Sequence, residues 1–184
     1  MKKTLVDIFN EIGNHTGIDY GHNDKNSLHS YLDIYDGYFA PFQKGCSIME
    51  IGLAGGKSIE LFDKYFENSK IVGVDISVIF PMDEYRNQVE IIECDATTDL
   101  INKKLGDQKF DIIIDDASHM EQDQIKTFDL LKHRMKKGGV YIIEDILSLD
   151  QNAHRFKALH PNCTIIDLRN QKGRFDDVLI IYKF

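Results

Sequence analysis

From residue 46 onward, short runs of isoleucine and valine alternate with helix-length amphipathic stretches, and few architectures accommodate that alternation. Cys46 to Ile51, Lys70 to Val74, Val89 to Cys94, Phe110 to Ile114 and Val140 to Ile143 read as strands, rich in Ile and Val on both faces as a helix-covered parallel sheet requires. Cys163 to Leu168 and Val178 to Tyr182 add two more. Between the strands, Ser58 to Phe66, Thr97 to Lys103, Gln122 to Met135 and Gln151 to Leu159 carry apolar residues at helical spacing. In the third of these, Ile125, Phe128, Leu131 and Met135 form one stripe. Lys136-Lys137-Gly138-Gly139 is expected to close that helix with cations and glycines. Lys172-Gly173-Arg174 lies in a loop too short for a crossover helix, so the last two strands are expected to form an antiparallel hairpin. The expectation is an α/β domain over residues 45–184, a doubly wound, mostly parallel sheet of seven strands ending in a C-terminal antiparallel hairpin. Residues 1–44 fall outside the rhythm, as a helix from Leu5 to Ile12 and a polar, aromatic segment from His15 to Phe42.

Glu50-Ile51-Gly52-Leu53-Ala54-Gly55-Gly56-Lys57-Ser58 follows the first strand and opens a helix, where glycine backbone lets a ligand approach closely. Three ligands compete for such a loop. A phosphate cradle needs four residues between its first glycine and Gly-Lys-Ser, and Gly52 leaves three. A dinucleotide fingerprint needs Gly-x-Gly-x-x-Gly, but Ala54 stands at the second glycine. S-adenosylmethionine carries no phosphate, so an acidic residue in the strand and glycines at the turn suffice for it. Asp75 ends the second strand about 20 residues on, where a carboxylate can accept from ribose hydroxyls. Asp95 ends the third, where it can accept from the adenine amino group.

A second constellation lies further along. Asp115-Asp116-Ala117-Ser118-His119 follows the fourth strand and Glu144-Asp145 follows the fifth, on the edge where open α/β sheets bind ligands. Those strands are neighbours in a doubly wound sheet, so Asp116, Glu144 and Asp145 are expected to converge. Three carboxylates without a cation would repel and raise one another's pKa, and a hard divalent ion resolves this. Oxygen ligation selects Mg2+, Ca2+ or Mn2+ over zinc. His119 stands where it can take a proton from a hydroxyl held by such an ion.

Taken in serial order, these motifs resemble the Rossmann-like class I S-adenosylmethionine-dependent methyltransferases. The Asp115–His119 and Ile143–Asp145 stretches resemble the metal-dependent sugar O-methyltransferases of macrolide biosynthesis and their cephalosporin-hydroxylase-like relatives. Asn23 to Tyr31, with Tyr35 and Phe39, is similar to a stretch that lies near cofactor and substrate in that family. The resemblance implies a cofactor site of Glu50, Gly52, Lys57, Ser58, Asp75, Asp95 and Asp115. It implies Mg2+ ligands Asp116, Glu144 and Asp145, His119 as the base, and a sugar hydroxyl as acceptor. Two alternatives stay open, a nicotinamide-dependent oxidoreductase and a non-catalytic cofactor-binding module.

The charge balance narrows the partners. With 22 basic against 30 acidic residues the chain carries −8, which repels nucleic acid and anionic lipid. A small-molecule or glycan substrate is expected, and a homo-oligomer is open. Nothing resembles a signal peptide or membrane span, and Cys46, Cys94 and Cys163 each sit beside an apolar run, consistent with reduced thiols in a cytoplasmic protein.

Overall fold

The computed structural model describes residues 3–13, 23–79, 84–147 and 149–184. Its centre is a seven-stranded sheet of β1 (Ser47–Ile51), β2 (Lys70–Asp75), β3 (Gln88–Glu93), β4 (Phe110–Asp115), β5 (Met135–Ile143), β6 (Cys163–Asp167) and β7 (Val178–Lys183). The order across the sheet is β3-β2-β1-β4-β5-β7-β6. The first five strands are parallel, and β7 runs antiparallel between β5 and β6. This is the doubly wound, mostly parallel sheet with a C-terminal hairpin that the alternation implied. The helices are α1 (Leu5–Ile12), α2 (Leu32–Phe39), α3 (Lys57–Tyr65), α4 (Leu100–Leu105), α5 (Glu121–Leu131), α6 (Leu149–Leu159) and the single turn α7 (Arg169–Lys172) within the hairpin connection. Among the described residues no helix is long and apolar enough to cross a membrane.

Strand periodicity sorts the core into two layers. Ile48, Ile112, Ile114 and Ile142 pack on one face with Leu5, Phe39 and Phe62. Met49, Ile113, Tyr141 and Ile143 pack on the other with Phe128 and Phe156. α1 begins at a capping box in which Thr4 and Asp7 satisfy each other's backbone N–H groups, and it buries Leu5, Ile8 and Phe9. Tyr31, at the N-cap of α2, and Tyr35 and Phe39 within it recur every four residues and are fully buried. Their rings continue to Phe66, 5.8 Å from Phe39 between centroids. Residues 14–22, at the start of the segment expected from His15 to Phe42, lie outside the described residues.

One expected helix is corrected. The stretch from Gln122 leaves α-helical geometry at Leu131, passes through a 3-10 turn at Lys132–Arg134, and Met135 already opens β5. Lys136-Lys137-Gly138-Gly139 therefore sits inside a strand and does not cap a helix. The glycines serve the sheet. A Cβ on Gly139 would stand 2.7 Å from the Asp111 carbonyl oxygen. Gly138 adopts φ +83° and donates its N–H to the carbonyl of Phe184 at 2.7 Å. Periodicity alone does not separate this bent strand from a helix end. The helix expected from Thr97 instead begins at Leu100, because Asp95 takes the N–H and hydroxyl of Thr97 into a turn.

Register fixes the functional edge. Ile51 pairs with Asp115 and Asp115 with Ile143, so β1, β4 and β5 end level. The ladder runs one residue further, with Asp116 N–H to Ile51 O at 2.8 Å and Glu144 N–H to Asp115 O at 3.0 Å. Gly52 is wedged beside this row at φ +87°, and a Cβ there would lie 2.0 Å from the Asp116 carbonyl oxygen. Gly52→Ala is therefore expected to cost more than about 2 kcal/mol, since both the backbone angle and a backbone atom must give way. Thermal unfolding should show a Tm lowered by at least about 5 °C.

Candidate active site

The glycine turn is held from the side by Asp75. Its Oδ2 accepts the N–H groups of Leu53 at 2.7 Å and Ala54 at 3.3 Å, and its Oδ1 accepts that of Ser77 at 3.0 Å. Beside the turn lies a cavity of about 440 Å³ lined by residues that include Gly52, Asp75, Asp95, Asp115 and Thr127. Asp115 is buried, its Oδ2 has no hydrogen-bond donor, and burial pushes its pKa up to about 7. Glu50 is fully buried next to the turn. Its Oε2 accepts from the Ser58 hydroxyl, its Oε1 faces the Lys25 ammonium at 3.3 Å, and burial raises it to about 7 against the pull of Lys25. An orphaned acceptor such as Asp115 Oδ2, on the wall of the cavity, fits a ligand that brings an N–H donor. Lys57 pairs with Glu60 at 3.0 Å, and neither it nor Ser58 lines the cavity.

The acid cluster stands at the ends of β4 and β5. Asp116 Oδ1 lies 3.2 Å from His119 Nε2, and Asp145 Oδ2 lies 3.5 Å from the same nitrogen. His119 and Asp145 both hold positive φ, +57° and +54°, a backbone strain that aims the two side chains at one point. The hydrogen bond to Asp116 raises His119 to about 9, with burial opposing. Asp116 is held below the usual carboxylate range, because Lys25 and His119 outweigh its burial.

The cluster already contains a cation of its own. The ammonium of Lys25, only 2% exposed, lies 2.6 Å from Asp116 Oδ2, 2.6 Å from Glu144 Oε1 and 3.3 Å from Glu50 Oε1. Burial opposes its charge, but the three carboxylates raise its pKa well above the ordinary lysine value. The Tyr31 hydroxyl donates to Asp145 Oδ1 at 2.5 Å, and the Tyr35 hydroxyl donates to Glu144 Oε1. Lys25 thus supplies part of the positive charge for which the sequence reading invoked a divalent ion.

Among the described residues, two groups hold ligand atoms within 4.8 Å of one another, as one metal ion requires: Asp116 with His119 and Asp145, and His29 with Asp145 and Asp176. In the second group both oxygens of Asp176 are already held by Arg174, at 3.0 and 2.7 Å. The first group fits a hard divalent ion better, since Asp116 and Asp145 each present a carboxylate oxygen and Asp116 and His119 are partly exposed.

A family model described as a methyltransferase domain matches residues 42–180. The chain belongs to the methyltransferase domain family. It is 31% identical over 137 residues to 8-demethyl-8-alpha-L-rhamnosyl tetracenomycin-C 2'-O-methyltransferase of Streptomyces olivaceus, covering 67% of this chain and 35% of that protein. It is 30% identical over 131 residues to mycinamicin VI 2''-O-methyltransferase of Micromonospora griseorubida, covering 65% and 32%. The chain thus spans about a third of the length of these curated relatives. MycE methyltransferase from the mycinamycin biosynthetic pathway, solved with Mg, SAH and mycinamycin VI, superposes with a TM-score of 0.71 at 21% identity. That alignment covers 99% of this chain and 54% of that one, and it shows a shared fold.

Within this methyltransferase domain, Gly52, Asp75, Asp95 and Asp115 border one cavity, as the motif order implied. Asp116, His119 and Asp145 meet at one point. Glu144 stands beside them with Oε1 committed to Lys25 and Tyr35. The sequence reading placed Lys25, Tyr31 and Tyr35 near the site by resemblance but gave them no partners. The spacing of Tyr31, Tyr35 and Phe39 marked a buried helical face, whereas nothing local marks Lys25 as buried. Its partners lie 91 and 119 residues away.

A raised histidine pKa contributes stability that is complete below the unfolded value of about 6.5 and is lost as pH rises through about 9. In protein stripped of divalent ions, His119→Ala is therefore expected to lower Tm most between about pH 4 and 6.5. The difference from the unsubstituted protein should vanish above about pH 9 in a series of thermal melts.

Proposed function

We propose that this methyltransferase domain transfers a methyl group from S-adenosylmethionine to a hydroxyl, with Mg2+ assistance and His119 as the base. The acceptor in this reading is a sugar, carried on a small molecule or a glycan. The convergence of Asp116, Asp145 and His119 beside the acid-lined cavity is the observation that carries it. The relatives named for methylation of rhamnosyl and macrolide sugars support the choice of acceptor.

When bound, S-adenosylmethionine supplies an electrophilic methyl group and a hard divalent ion supplies charge that stabilises an acceptor alkoxide. The chain's own residues do the rest. In this reading Asp75 serves the ribose hydroxyls and Asp95 the adenine amino group, Asp115 lines the same cavity, and Gly52 lets the ligand approach the backbone. Glu50, whose Oε1 faces Lys25 at 3.3 Å, is the carboxylate nearest the glycine turn for a cationic amino group. Asp116, Asp145 and Glu144 supply the acid set for the ion. His119 holds a proton while Asp116 and Asp145 are otherwise unneutralised. Once those acids are neutralised, the imidazole is released to take the acceptor's hydroxyl proton as the C–S bond breaks and the O–CH3 bond forms. Residues 1–44 act in this reading as a cover for substrate and cofactor, supported by the contacts of Lys25, Tyr31 and Tyr35 with the acid cluster.

Two measurements test this. S-adenosylhomocysteine should raise Tm by several degrees at a concentration where NAD does not, and the reverse order would restore the nicotinamide alternative. With labelled S-adenosylmethionine and a panel of deoxysugar glycosides, EDTA should abolish transfer and added Mg2+ restore it. His119→Ala should lower kcat by roughly 10^2- to 10^4-fold with little change in S-adenosylhomocysteine affinity. Transfer that is indifferent to chelation would remove the metal from the mechanism.

A further inference from the structure

Lys25 reaches the acid cluster from the N-terminal segment, with its ammonium only 2% exposed. Three carboxylates surround its three N–H donors, and none of them lies on its own segment. The turn that carries it is firmly built. Lys25 N–H donates to Asn23 Oδ1 at 3.0 Å, its carbonyl accepts from Tyr31 N–H at 3.0 Å, and Lys172 Nζ donates to the carbonyls of Asn26 and His29 at 2.5 Å each. The position of the ammonium is therefore set by the backbone as well as by its charge partners.

The two aspartates are divided in the same way. Asp116 gives Oδ2 to Lys25 and turns Oδ1 to His119. Asp145 gives Oδ1 to Tyr31 and turns Oδ2 to His119. One oxygen of each is tied to the N-terminal segment, and the other is left at the point where the ligand atoms meet. A carboxylate held by one oxygen loses its freedom to rotate away, which is how partners beyond the ligand shell raise the affinity of a metal site. Glu50, at the other side of the ammonium, belongs to the glycine turn, so the same charge joins the cofactor half of the site to the metal half.

We propose that Lys25 is the positioning residue of this site: a resident counter-ion that lets Glu50, Asp116 and Glu144 share one buried pocket and orients Asp116 to receive the divalent ion. The inference rests on the metal-assisted reading above. It runs against simple electrostatics, by which removing a positive charge near a cation site strengthens cation binding.

That opposition makes the test decisive. Calorimetric titration with Mg2+ should show at least a tenfold loss of affinity in Lys25→Ala relative to the unsubstituted protein. Propylammonium, which replaces the deleted part of the side chain, should restore binding, whereas propanol at the same concentration should not. Melting should show a Tm lowered by about 10 °C, as expected when buried carboxylates lose their partner, and it too should recover with propylammonium alone. If Lys25→Ala does not melt cooperatively, Lys25→Met keeps the apolar stem and should show the same Mg2+ loss without rescue. Unchanged or tighter Mg2+ binding in either folded variant, or equal rescue by propanol, would overturn the proposal. If the unsubstituted protein binds no Mg2+, the metal-assisted reading fails, and the counter-ion role of Lys25 is then decided by the Tm loss and its amine-specific recovery.

Discussion

Burial of like charges is the constraint around which this molecule is arranged. The level register of β1, β4 and β5 brings Glu50, Asp116, Glu144 and Asp145 to one edge of the sheet, and three of the four are almost wholly buried. Desolvated carboxylates at such distances cannot all stay ionised without positive charge or hydrogen-bond donors among them. The structure answers with Lys25 in the centre, tyrosine hydroxyls of residues 31 and 35 at the inner side, and His119 at the outer side. The N-terminal segment thereby becomes part of the domain's charge balance, and its aromatic face shares the core on which β1 and α3 pack.

Within this arrangement the carboxylates take different roles because their surroundings differ. Burial drives Asp115, on the cavity wall, and Glu50, in β1, toward neutrality near pH 7. Lys25 and His119 hold Asp116 ionised against its burial. Glu144, buried like Glu50, is pushed well above the usual carboxylate range by burial and by Asp116, against the attraction of Lys25. Neighbouring acids whose pKa values are forced apart characterise sites that bind charged ligands and move protons. The strained backbone at His119 and Asp145 belongs to the same design, since each stands just past a strand end and must turn its side chain back toward the other.

Some of this was legible in the residues and some was not. Periodicity located the strands to within a residue or two, because apolar runs buried on both faces have no alternative environment. It failed at Met135–Gly139, where glycines beside cations signal a helix end locally but here let β5 bend between β4 and the carboxyl terminus. The placement of Asp75, Asp95, Asp115, Asp116 and Asp145 followed from strand ends, since a parallel sheet gathers its carboxyl ends on one edge. Lys57 looked equivalent to its neighbours in the glycine loop, yet helix geometry turns it outward to Glu60.

The amino-acid sequence by itself determined the sheet, its hairpin and the edge at which acids and a histidine collect, because these depend on local periodicity and on the topology of parallel strands. Only the tertiary structure decided how that acid is tolerated. Lys25 meets Asp116 and Glu144 across 91 and 119 residues of chain. A counter-charge recruited over such a separation is specified by packing in three dimensions, and no pattern along the chain encodes it.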